Sequence, residues 1–258
     1  MDLEESQIDV SGVAVDIVSG GSGPQLVFLH GGFGLRGNEA FLQILSDNFS
    51  VTAPILPGFG RLDVPRNYNN VDDLAYFCMD LLDILNLENV ALVGSCLGGW
   101  VAAEMIIRSA TRFSNLVLIG SLGMKFSDHL TRDITDIHAV NELELQSLLY
   151  AQPDRTLSDL DSLTDDELSA IVRAKESFVL FGWKPYMHNP KLANWAHRIS
   201  IPTSLIWGAE DKMVTPEYGK KYAKKIKGSN FDLIANAGHY PSIEKPEETS
   251  KLIHQFLK

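Results

Sequence analysis

The chain has 258 residues, of which 45% are hydrophobic and 21% are charged, as in an ordinary globular domain that can bury a full core. Its 33 Asp and Glu residues outnumber its 22 Lys and Arg residues, which gives a formal net charge of -11. Because this charge repels phosphate backbones and anionic membrane surfaces, we expect neither nucleic acid nor a membrane as a partner.

The first residues and the cysteine content indicate the compartment. Residues 1–6 are acidic, whereas a secretory signal has a basic segment and an apolar core, and no apolar run approaches the length of a membrane-spanning helix. Cys78 and Cys96 are the only cysteines, and Cys78 lies in an amphipathic helical stretch that marks it as a core residue. A disulfide would consume Cys96, the candidate nucleophile described below. We therefore expect a reducing, cytoplasmic environment.

Strands and helices alternate over the first 120 residues. Residues 7–18 alternate apolar and polar side chains around Ser11-Gly12, which predicts a hairpin of exposed edge strands. Further strands are predicted at 26–29, 51–55, 90–93 and 116–119, and helices at 41–45, 70–86 and 97–108. This alternation predicts an α/β fold with a doubly wound, mostly parallel sheet, whose active site lies at the carboxyl ends of the strands.

The pattern changes between residues 121 and 200, a segment called the insertion below. It has helical patterning at 131–149, 157–178 and 191–198, many acidic residues and no convincing strand. Sheet character resumes afterwards, with strands predicted at 202–208 and 231–234 and helices at 217–226 and from 247 onwards. The sequence therefore predicts a core domain formed by residues 1–120 and 201–258, with a helical lid formed by residues 121–200.

Residues 90–100 run from an apolar strand through a turn of small residues into a helix, as in a nucleophile elbow. In such a strained turn, the residues two before and two after the nucleophile must be tiny. Gly94 and Gly98 meet this requirement for Cys96, whereas the same frame centred on Ser95 places bulky aliphatic residues there. Cys96 would also start a helix, where the macrodipole favours a thiolate. The alternative is a small buried core residue.

A thiol nucleophile needs a base, and the base needs an orienting acid. Asp211 follows the predicted strand at 202–208, and His239 follows the predicted strand at 231–234. Alternatively, Asp211 caps the next helix, His239 is a surface loop residue, or the adjacent Glu210 is the acid. His30, at the start of a glycine-rich loop, is interpreted as a structural hydrogen-bonding group rather than a base.

With these residues in place, the chain resembles the α/β-hydrolase fold family from about residue 7 to 258, in the form with a helical lid after the sixth strand. The matched features are the loop His30-Gly31-Gly32, the loop Pro57-Gly58-Phe59-Gly60, the elbow, the Gly208-x-x-Asp211 acid and the Gly238-His239 turn. Most lidded relatives carry serine at the elbow, and the stretch Cys96-Leu97-Gly98-Gly99 is similar to that of dienelactone hydrolases. The layout is closer to lidded esterases, lactonases and carbon–carbon bond hydrolases.

The resemblance implies a mechanism with a Cys-His-Asp triad. His239 accepts the proton of Cys96, Asp211 stabilises the imidazolium, and the thiolate attacks an acyl carbonyl to form an acyl-cysteine. Backbone N–H groups of Leu97 and of Gly32 or Phe33 would hold the oxyanion. We therefore expect a hydrolase that cleaves an ester, lactone, thioester or activated carbon–carbon bond of a small organic molecule.

Aromatic side chains are candidates for the substrate pocket, although those of the insertion are interpreted equally well as its core. They are Tyr150, Phe181, Trp183, Tyr186 and Trp195 of the insertion, together with Tyr240 beside His239. The remaining histidines lack the spacing of a zinc site, and the loop at residues 31–34 lacks the dinucleotide fingerprint, so neither a metal nor a cofactor is assigned.

Several alternatives stay open at the level of sequence. One is a ligand-binding protein of the same fold with little or no turnover, and another is an acyltransferase, because an acyl-thioester is a good donor to amines and thiols. Cys96 is either a native thiol or a replacement of serine introduced to trap an intermediate. A Cys96→Ser variant separates these two origins. If the thiol is native, we expect the variant to lose activity, and if it replaces a serine, we expect a large gain.

Overall fold

The structure, a computed structural model, describes residues 3–153 and 163–258. The strands found there are β1 (Glu4–Val10), β2 (Val13–Gly20), β3 (Gln25–Leu29), β4 (Ser50–Pro54), β5 (Val90–Ser95), β6 (Phe113–Ile119), β7 (Thr203–Gly208) and β8 (Asn230–Ile234). They form an eight-stranded sheet in the order β1-β2-β4-β3-β5-β6-β7-β8.

The sheet is parallel from β4 to β8, and β1 and β2 extend it in antiparallel pairing. The predicted doubly wound, mostly parallel sheet is therefore confirmed. The predicted hairpin around Ser11-Gly12 is present as β1 and β2. The prediction that both of its strands are edge strands is wrong, because residues Ile17 to Gly20 of β2 pair with β4. Of these two strands, β1 alone lies at an edge of the sheet.

Helices cover both faces of the sheet. Outside the insertion they are α1 (Glu39–Ser46), α2 (Val71–Ile84), α3 (Leu97–Arg108), α7 (Pro216–Lys225), α8 (Pro241–Glu244) and α9 (Pro246–Phe256). Successive residues of a strand point to opposite faces. Phe28 and Val93 therefore pack in the core formed with α1 and α9, whereas Leu29 and Leu92 pack in the core formed with α2 and α3. No described helix combines the length and hydropathy that crossing a bilayer requires.

Among the described residues of the insertion, the helices between β6 and β7 are α4 (Glu142–Leu149), α5 (Asp165–Gly182) and α6 (Leu192–Trp195), and α6 continues into the 3-10 turn Ala196–Arg198. The prediction of a helix from 131 is wrong, because the carboxylates of Asp128 and Asp136 accept hydrogen bonds from local backbone N–H groups and form turns instead. Helix α4 starts only after Asn141, which caps it.

The helix predicted at 157–178 is tested only where the structure describes it, from residue 163 onwards. Residues 157–162 lie outside the described residues. Helix α5 starts after Thr164, whose side chain forms a capping box with Glu167, and it ends at Gly182 rather than at residue 178. The aromatic residues near its C-terminal end therefore stand on a continuous helix.

The candidate catalytic residues lie at the same end of the sheet, because each follows the carboxyl end of a parallel strand. Cys96 follows β5, Asp211 follows β7, and His239 follows β8. The loops after β7 and β8 lie in direct contact, since a Cβ on Gly208 would lie 1.9 Å from the carbonyl oxygen of Gly238. A site at the carboxyl ends of the strands is the position expected in a parallel sheet.

Candidate active site

Cys96 lies in the turn between β5 and α3 with φ 53 and ψ -115, a conformation that non-glycine residues rarely adopt. The turn is possible because the backbone passes very close to its neighbours. A Cβ on Gly98 would lie 2.1 Å from the carbonyl oxygen of Leu29, and one on Gly94 would lie 2.4 Å from the carbonyl oxygen of Gly98. The structure thus places Cys96 at the corner of the turn, while Ser95 is the last residue of β5.

Asp211 and His239 form a buried pair beside this turn. Nδ1 of His239 lies 2.8 Å from Oδ2 of Asp211, and both side chains are fully buried. Oδ1 of Asp211 accepts hydrogen bonds from the backbone N–H groups of Met213 and Val214 at 3.0 and 2.8 Å. These contacts fix the carboxylate, which in turn orients the imidazole with Nδ1 as the donor.

The alternatives for these two residues do not fit the structure. Helix α7 starts after Thr215, so Asp211 is not its N-cap. Glu210 is exposed, whereas Asp211 and His239 are buried, so His239 is not a surface loop residue and Glu210 does not orient it. The structure therefore brings together Cys96, His239 and Asp211, as the sequence predicts, and their catalytic roles remain part of the proposal below.

The charges of Cys96 and His239 support each other. Burial opposes ionisation of the thiol, but the charge of His239 and hydrogen bonds from Tyr240 and the backbone of Gly32 outweigh it and lower the pKa of Cys96. Burial likewise disfavours the imidazolium, but Asp211 and the thiolate outweigh it and raise the pKa of His239. The site therefore favours a thiolate beside an imidazolium, and the two groups titrate as a pair.

His30 is a structural group in the loop opposite Cys96. Its Nε2 accepts a hydrogen bond from the backbone N–H of Leu56 at 3.0 Å, and its Nδ1 donates to the carbonyl oxygen of Gly31 at 2.7 Å. Burial lowers the pKa of His30 to about 4, which keeps the ring neutral. Its carbonyl oxygen accepts from the N–H of Gly98, so His30 ties the loop to the start of α3.

The predicted oxyanion donors lie around Cys96. Leu97 is the first residue of α3, where backbone N–H groups have no partner within the helix. The N–H groups of Leu97 and Phe33 donate to no protein acceptor in the part of the chain that the structure describes. The backbone of Gly32 is directed at the thiol, whose pKa it lowers. Their use as donors to an oxyanion is part of the proposal below.

The structure separates the candidate pocket residues into two groups. Tyr240 is buried, its hydroxyl donates to Sγ of Cys96 at 3.5 Å, and its ring packs against Tyr150 with centroids 6.0 Å apart. Tyr186 instead uses its hydroxyl within the insertion, where it donates to the carbonyl oxygen of Thr135. Trp183 is 51% exposed and packs against Tyr186, so it is not brought to the thiol.

The other two aromatic residues of the insertion are also divided. Phe181 is buried and stacks on Phe59 with ring centroids 6.0 Å apart, so it belongs to the core in which the insertion packs on the rest of the domain. Trp195 is 48% exposed and packs against His197 at the far end of α6.

Glu244 holds the histidine turn in place, although it is not among the residues predicted from the sequence. Its Oε2 accepts from the N–H of Gly238 at 2.6 Å, and its Oε1 accepts from the N–H of Ala151 at 2.9 Å. The N–H of His239 also donates to the carbonyl oxygen of Leu149, at 2.7 Å. The carboxylate therefore joins the histidine turn to the chain just after α4. The sequence does contain a signal for this contact, because the carboxylate of an acidic residue shortly after a Gly-His turn can accept hydrogen bonds from the backbone N–H groups of that turn.

Phe178 on α5 was also missed, and it covers the loop of the predicted oxyanion donors. A Cβ on Gly32 would lie 2.4 Å from its ring, and the ring packs edge-on against Phe33 with centroids 5.7 Å apart. A cleft of about 910 Å³ is lined in part by Phe33. Most of its lining surface is apolar and includes Leu35, Ala170 and Ile171, and charged side chains such as Arg61 and Glu167 also line it. Cys96 is buried and does not line this cleft, whereas Phe33 does.

Among the residues that the structure describes, no cluster of at least three His, Cys, Asp or Glu side chains is arranged to hold a metal ion.

Comparison with known proteins places this site in context. A family model described as the alpha/beta hydrolase fold matches residues 24–246. The chain is 27% identical over 266 residues to 2-hydroxymuconate semialdehyde hydrolase of Pseudomonas sp. strain CF600, with 97% of this chain and 93% of the relative covered. It is also 27% identical over 263 residues to the dihydrolipoyllysine-residue acetyltransferase component of the acetoin cleaving system of Cupriavidus necator, with 96% and 68% covered.

A solved structure shows how far the fold is shared. The crystal structure of a serine hydrolase from the polyaromatic hydrocarbon-degrading bacterium Cycloclasticus zankles superposes with a TM-score of 0.81 at 19% identity, with 99% of this chain and 98% of that chain covered. At this identity the likeness shows the fold alone. That protein is named a serine hydrolase, whereas the elbow residue in this chain is Cys96.

The hydrogen bonds that the carboxylate of Glu244 accepts give a test of how the histidine turn is held. In Glu244→Gln, one of the two carboxylate oxygens becomes an amide donor that faces a backbone N–H of Gly238 or Ala151. We expect the free energy of unfolding, measured by urea denaturation, to fall by about 1–3 kcal/mol.

Glu248→Gln is the matched control, because Glu248 is an exposed carboxylate on the neighbouring helix α9. We expect its effect to stay within about 0.5 kcal/mol. Equal effects of the two substitutions would show that Glu244 does not hold the turn.

Proposed function

Because the chain belongs to the α/β-hydrolase fold family, we propose that it is a hydrolase in which Cys96 is the nucleophile. Its substrate is a small organic molecule with an ester, a lactone, a thioester or an activated carbon–carbon bond. The observation that carries the proposal is a thiol at a strained elbow whose pKa is lowered by His239, a buried residue whose Nδ1 lies 2.8 Å from Oδ2 of Asp211. That the relatives include a 2-hydroxymuconate semialdehyde hydrolase supports hydrolysis as the class of reaction.

In the acylation step, the thiolate of Cys96 attacks the carbonyl carbon of the substrate. A carbon–sulfur bond forms, and the π electron pair moves to the carbonyl oxygen, where the N–H groups of Leu97 and of Gly32 or Phe33 stabilise it. Each such donor contributes roughly 3 kcal/mol in comparable sites. When the intermediate collapses, the leaving group departs with the bonding pair and takes the proton from the imidazolium of His239.

In the deacylation step, Nε2 of the now neutral His239 accepts a proton from water, and the hydroxide attacks the thioester carbon. The carbon–sulfur bond breaks with its electron pair on sulfur, which restores the thiolate beside the imidazolium. Asp211 stabilises that imidazolium in both steps, because its carboxylate is fixed by the N–H groups of Met213 and Val214.

The apolar cleft accommodates the part of the substrate that does not react. It is bounded by α5 on one side and by Phe33 and Leu35 on the other, and its volume of about 910 Å³ suits a small organic molecule. Phe33 also packs on Tyr240, whose hydroxyl contacts Sγ of Cys96, so Phe33 and Tyr240 connect the cleft to the thiol. In this proposal, residues 121–200 act as a lid, and α5 carries the wall of the cleft.

Acyl transfer is the second candidate, and it is favoured by one comparison. The relative from Cupriavidus necator is named an acetyltransferase component, and 96% of this chain is covered by the match. If an added thiol such as dithiothreitol captured most of the acyl group in competition with water, the reaction would be transfer rather than hydrolysis.

The proposal is tested by turnover of p-nitrophenyl acetate by the wild type and by Cys96→Ala, Cys96→Ser and His239→Ala. We expect each variant to lose at least about 10³-fold in kcat/KM, because the triad acts as a unit. Cys78→Ala is the control, since Cys78 is the other buried cysteine and lies in α2. Full turnover by Cys96→Ala would contradict the proposal, and a large gain in Cys96→Ser would show that serine suits this site better. No turnover by the wild type would favour a ligand-binding protein.

The cleft is tested separately by filling it. Ala170→Trp places an indole in the cleft, so we expect kcat/KM for p-nitrophenyl octanoate to fall at least about tenfold while p-nitrophenyl acetate is little affected. Val172→Trp is the matched control, because Val172 is on the same helix but is 54% exposed and does not line the cleft. Equal losses for both esters, or equal losses in both variants, would show that the cleft does not bind the acyl chain.

A further inference from the structure

Tyr240 occupies a position next to the thiol that the mechanism above does not use. Its hydroxyl donates to Sγ of Cys96 at 3.5 Å, and the two residues are 144 positions apart in the sequence. The side chain is buried, and its ring is held on three sides by His239, Phe33 and Tyr150, with centroids 4.7, 6.2 and 6.0 Å away. The hydroxyl is therefore fixed on the sulfur by packing.

Gly31 is the residue that makes this contact possible. A Cβ at this position would lie 2.7 Å from Cε1 and 3.1 Å from the hydroxyl oxygen of Tyr240, and 3.0 Å from Cβ of Cys96. A side chain here would push the phenol away from the sulfur. Because Gly31 has no side chain, the loop leaves room for the hydroxyl of Tyr240 to act as a donor beside the thiol.

A buried thiolate needs such a donor more than a serine does. A serine nucleophile is neutral at rest, whereas a thiolate carries a full charge into a site where Cys96 has no solvent contact. The groups that face this charge are the imidazole of His239, the backbone of Gly32 and the hydroxyl of Tyr240, with the phenols of Tyr150 and Tyr186 further away. Of these, Tyr240 is the neutral side-chain donor in contact with the sulfur.

We propose that Tyr240 is a further catalytic residue, whose hydroxyl donates a hydrogen bond to the thiolate of Cys96 in the resting enzyme and again when the thiolate leaves during deacylation. In the first case it holds the nucleophile ionised. In the second, the electron pair of the breaking carbon–sulfur bond moves onto a sulfur that already has a donor. This inference rests on the proposed function for the identity of the nucleophile. Its test uses ionisation of the thiol and needs no substrate.

The experiment measures the pH at which Cys96 ionises. The signal is the ultraviolet absorbance of the thiolate, taken as the difference between each protein and its Cys96→Ala counterpart. We expect the wild-type midpoint to lie below the ordinary value of about 8.5, because the charge of His239 and the donors lower the pKa of the thiol. In Tyr240→Phe, which keeps the ring and removes only the hydroxyl, the midpoint should rise by about one pH unit.

Two further variants distinguish a donor from a packing effect. Tyr222→Phe removes the hydroxyl of another buried tyrosine, which packs against Phe126 and Tyr218, and it should leave the midpoint unchanged. Gly31→Ala should raise the midpoint in the wild type and add little in Tyr240→Phe, where there is no hydroxyl to displace. Thermal unfolding of each variant confirms that the proteins compared are folded.

The inference is overturned if Tyr240→Phe titrates with the wild-type midpoint, or if Tyr222→Phe shifts the midpoint as much as Tyr240→Phe does. It is also overturned if Gly31→Ala shifts the midpoint equally in both backgrounds. If the predicted shift is found but the wild type turns over no ester, the inference about Tyr240 stands and the proposed function fails. If the wild type turns over esters and the shift is absent, the proposed function stands and the inference about Tyr240 fails.

Discussion

The strained turn at Cys96 is the constraint on which the rest of the site depends. With φ 53, the residue cannot continue β5, and its side chain projects from the corner where the strand meets α3. The start of α3 must then lie directly against β3, where a Cβ on Gly98 would be 2.1 Å from the carbonyl oxygen of Leu29. This close packing places the N-terminus of a helix, and its free N–H groups, beside the thiol. The same contact carries the loop of His30, because the carbonyl oxygen of His30 accepts from the N–H of Gly98.

The second consequence of this geometry is a pair of charges without solvent contact. Burial alone would keep both Cys96 and His239 neutral, and each becomes charged because the other does. Asp211 biases the pair towards the imidazolium, and the backbone of Gly32 and the hydroxyl of Tyr240 bias it towards the thiolate. A serine at the elbow would lack the negative member of this pair at rest. The cysteine therefore changes what the surrounding groups have to do, although the fold around it is that of hydrolases with serine.

The core of the site could be predicted from the sequence because its rules are local. A strand followed by small residues at two fixed positions indicates the elbow, and the order of nucleophile, acid and histidine at the strand ends indicates their meeting point. The choice of Asp211 over Glu210 follows from the family resemblance, and the structural role of His30 follows because His239, after the last strand, takes the role of the base. The contacts of Tyr240 and Glu244 could not be derived in this way. They depend on how the loop of Gly31 and the chain after α4 pack against the histidine turn, and these segments are distant in sequence.

The insertion shows the same limit. Helical periodicity extends over residues 131–141, but the side chains of Asp128 and Asp136 compete for the backbone and form turns there. Aromatic residues of the insertion look alike in the sequence, and only packing separates Tyr150, which lies at the site, from Trp183, which is half exposed. Which groups face a substrate is therefore decided by tertiary contacts that composition and spacing do not encode.

The central claim is that Cys96 forms a covalent acyl-enzyme, and intact-mass and peptide mass spectrometry after brief incubation with p-nitrophenyl acetate tests it most directly. The account predicts an acetyl adduct on the peptide that contains Cys96, absent from Cys96→Ala and longer-lived in His239→Ala than in the wild type once formed, because deacylation needs the imidazole. Turnover of the ester with no adduct on Cys96 in any protein, or an adduct on another residue such as Ser95, would contradict it.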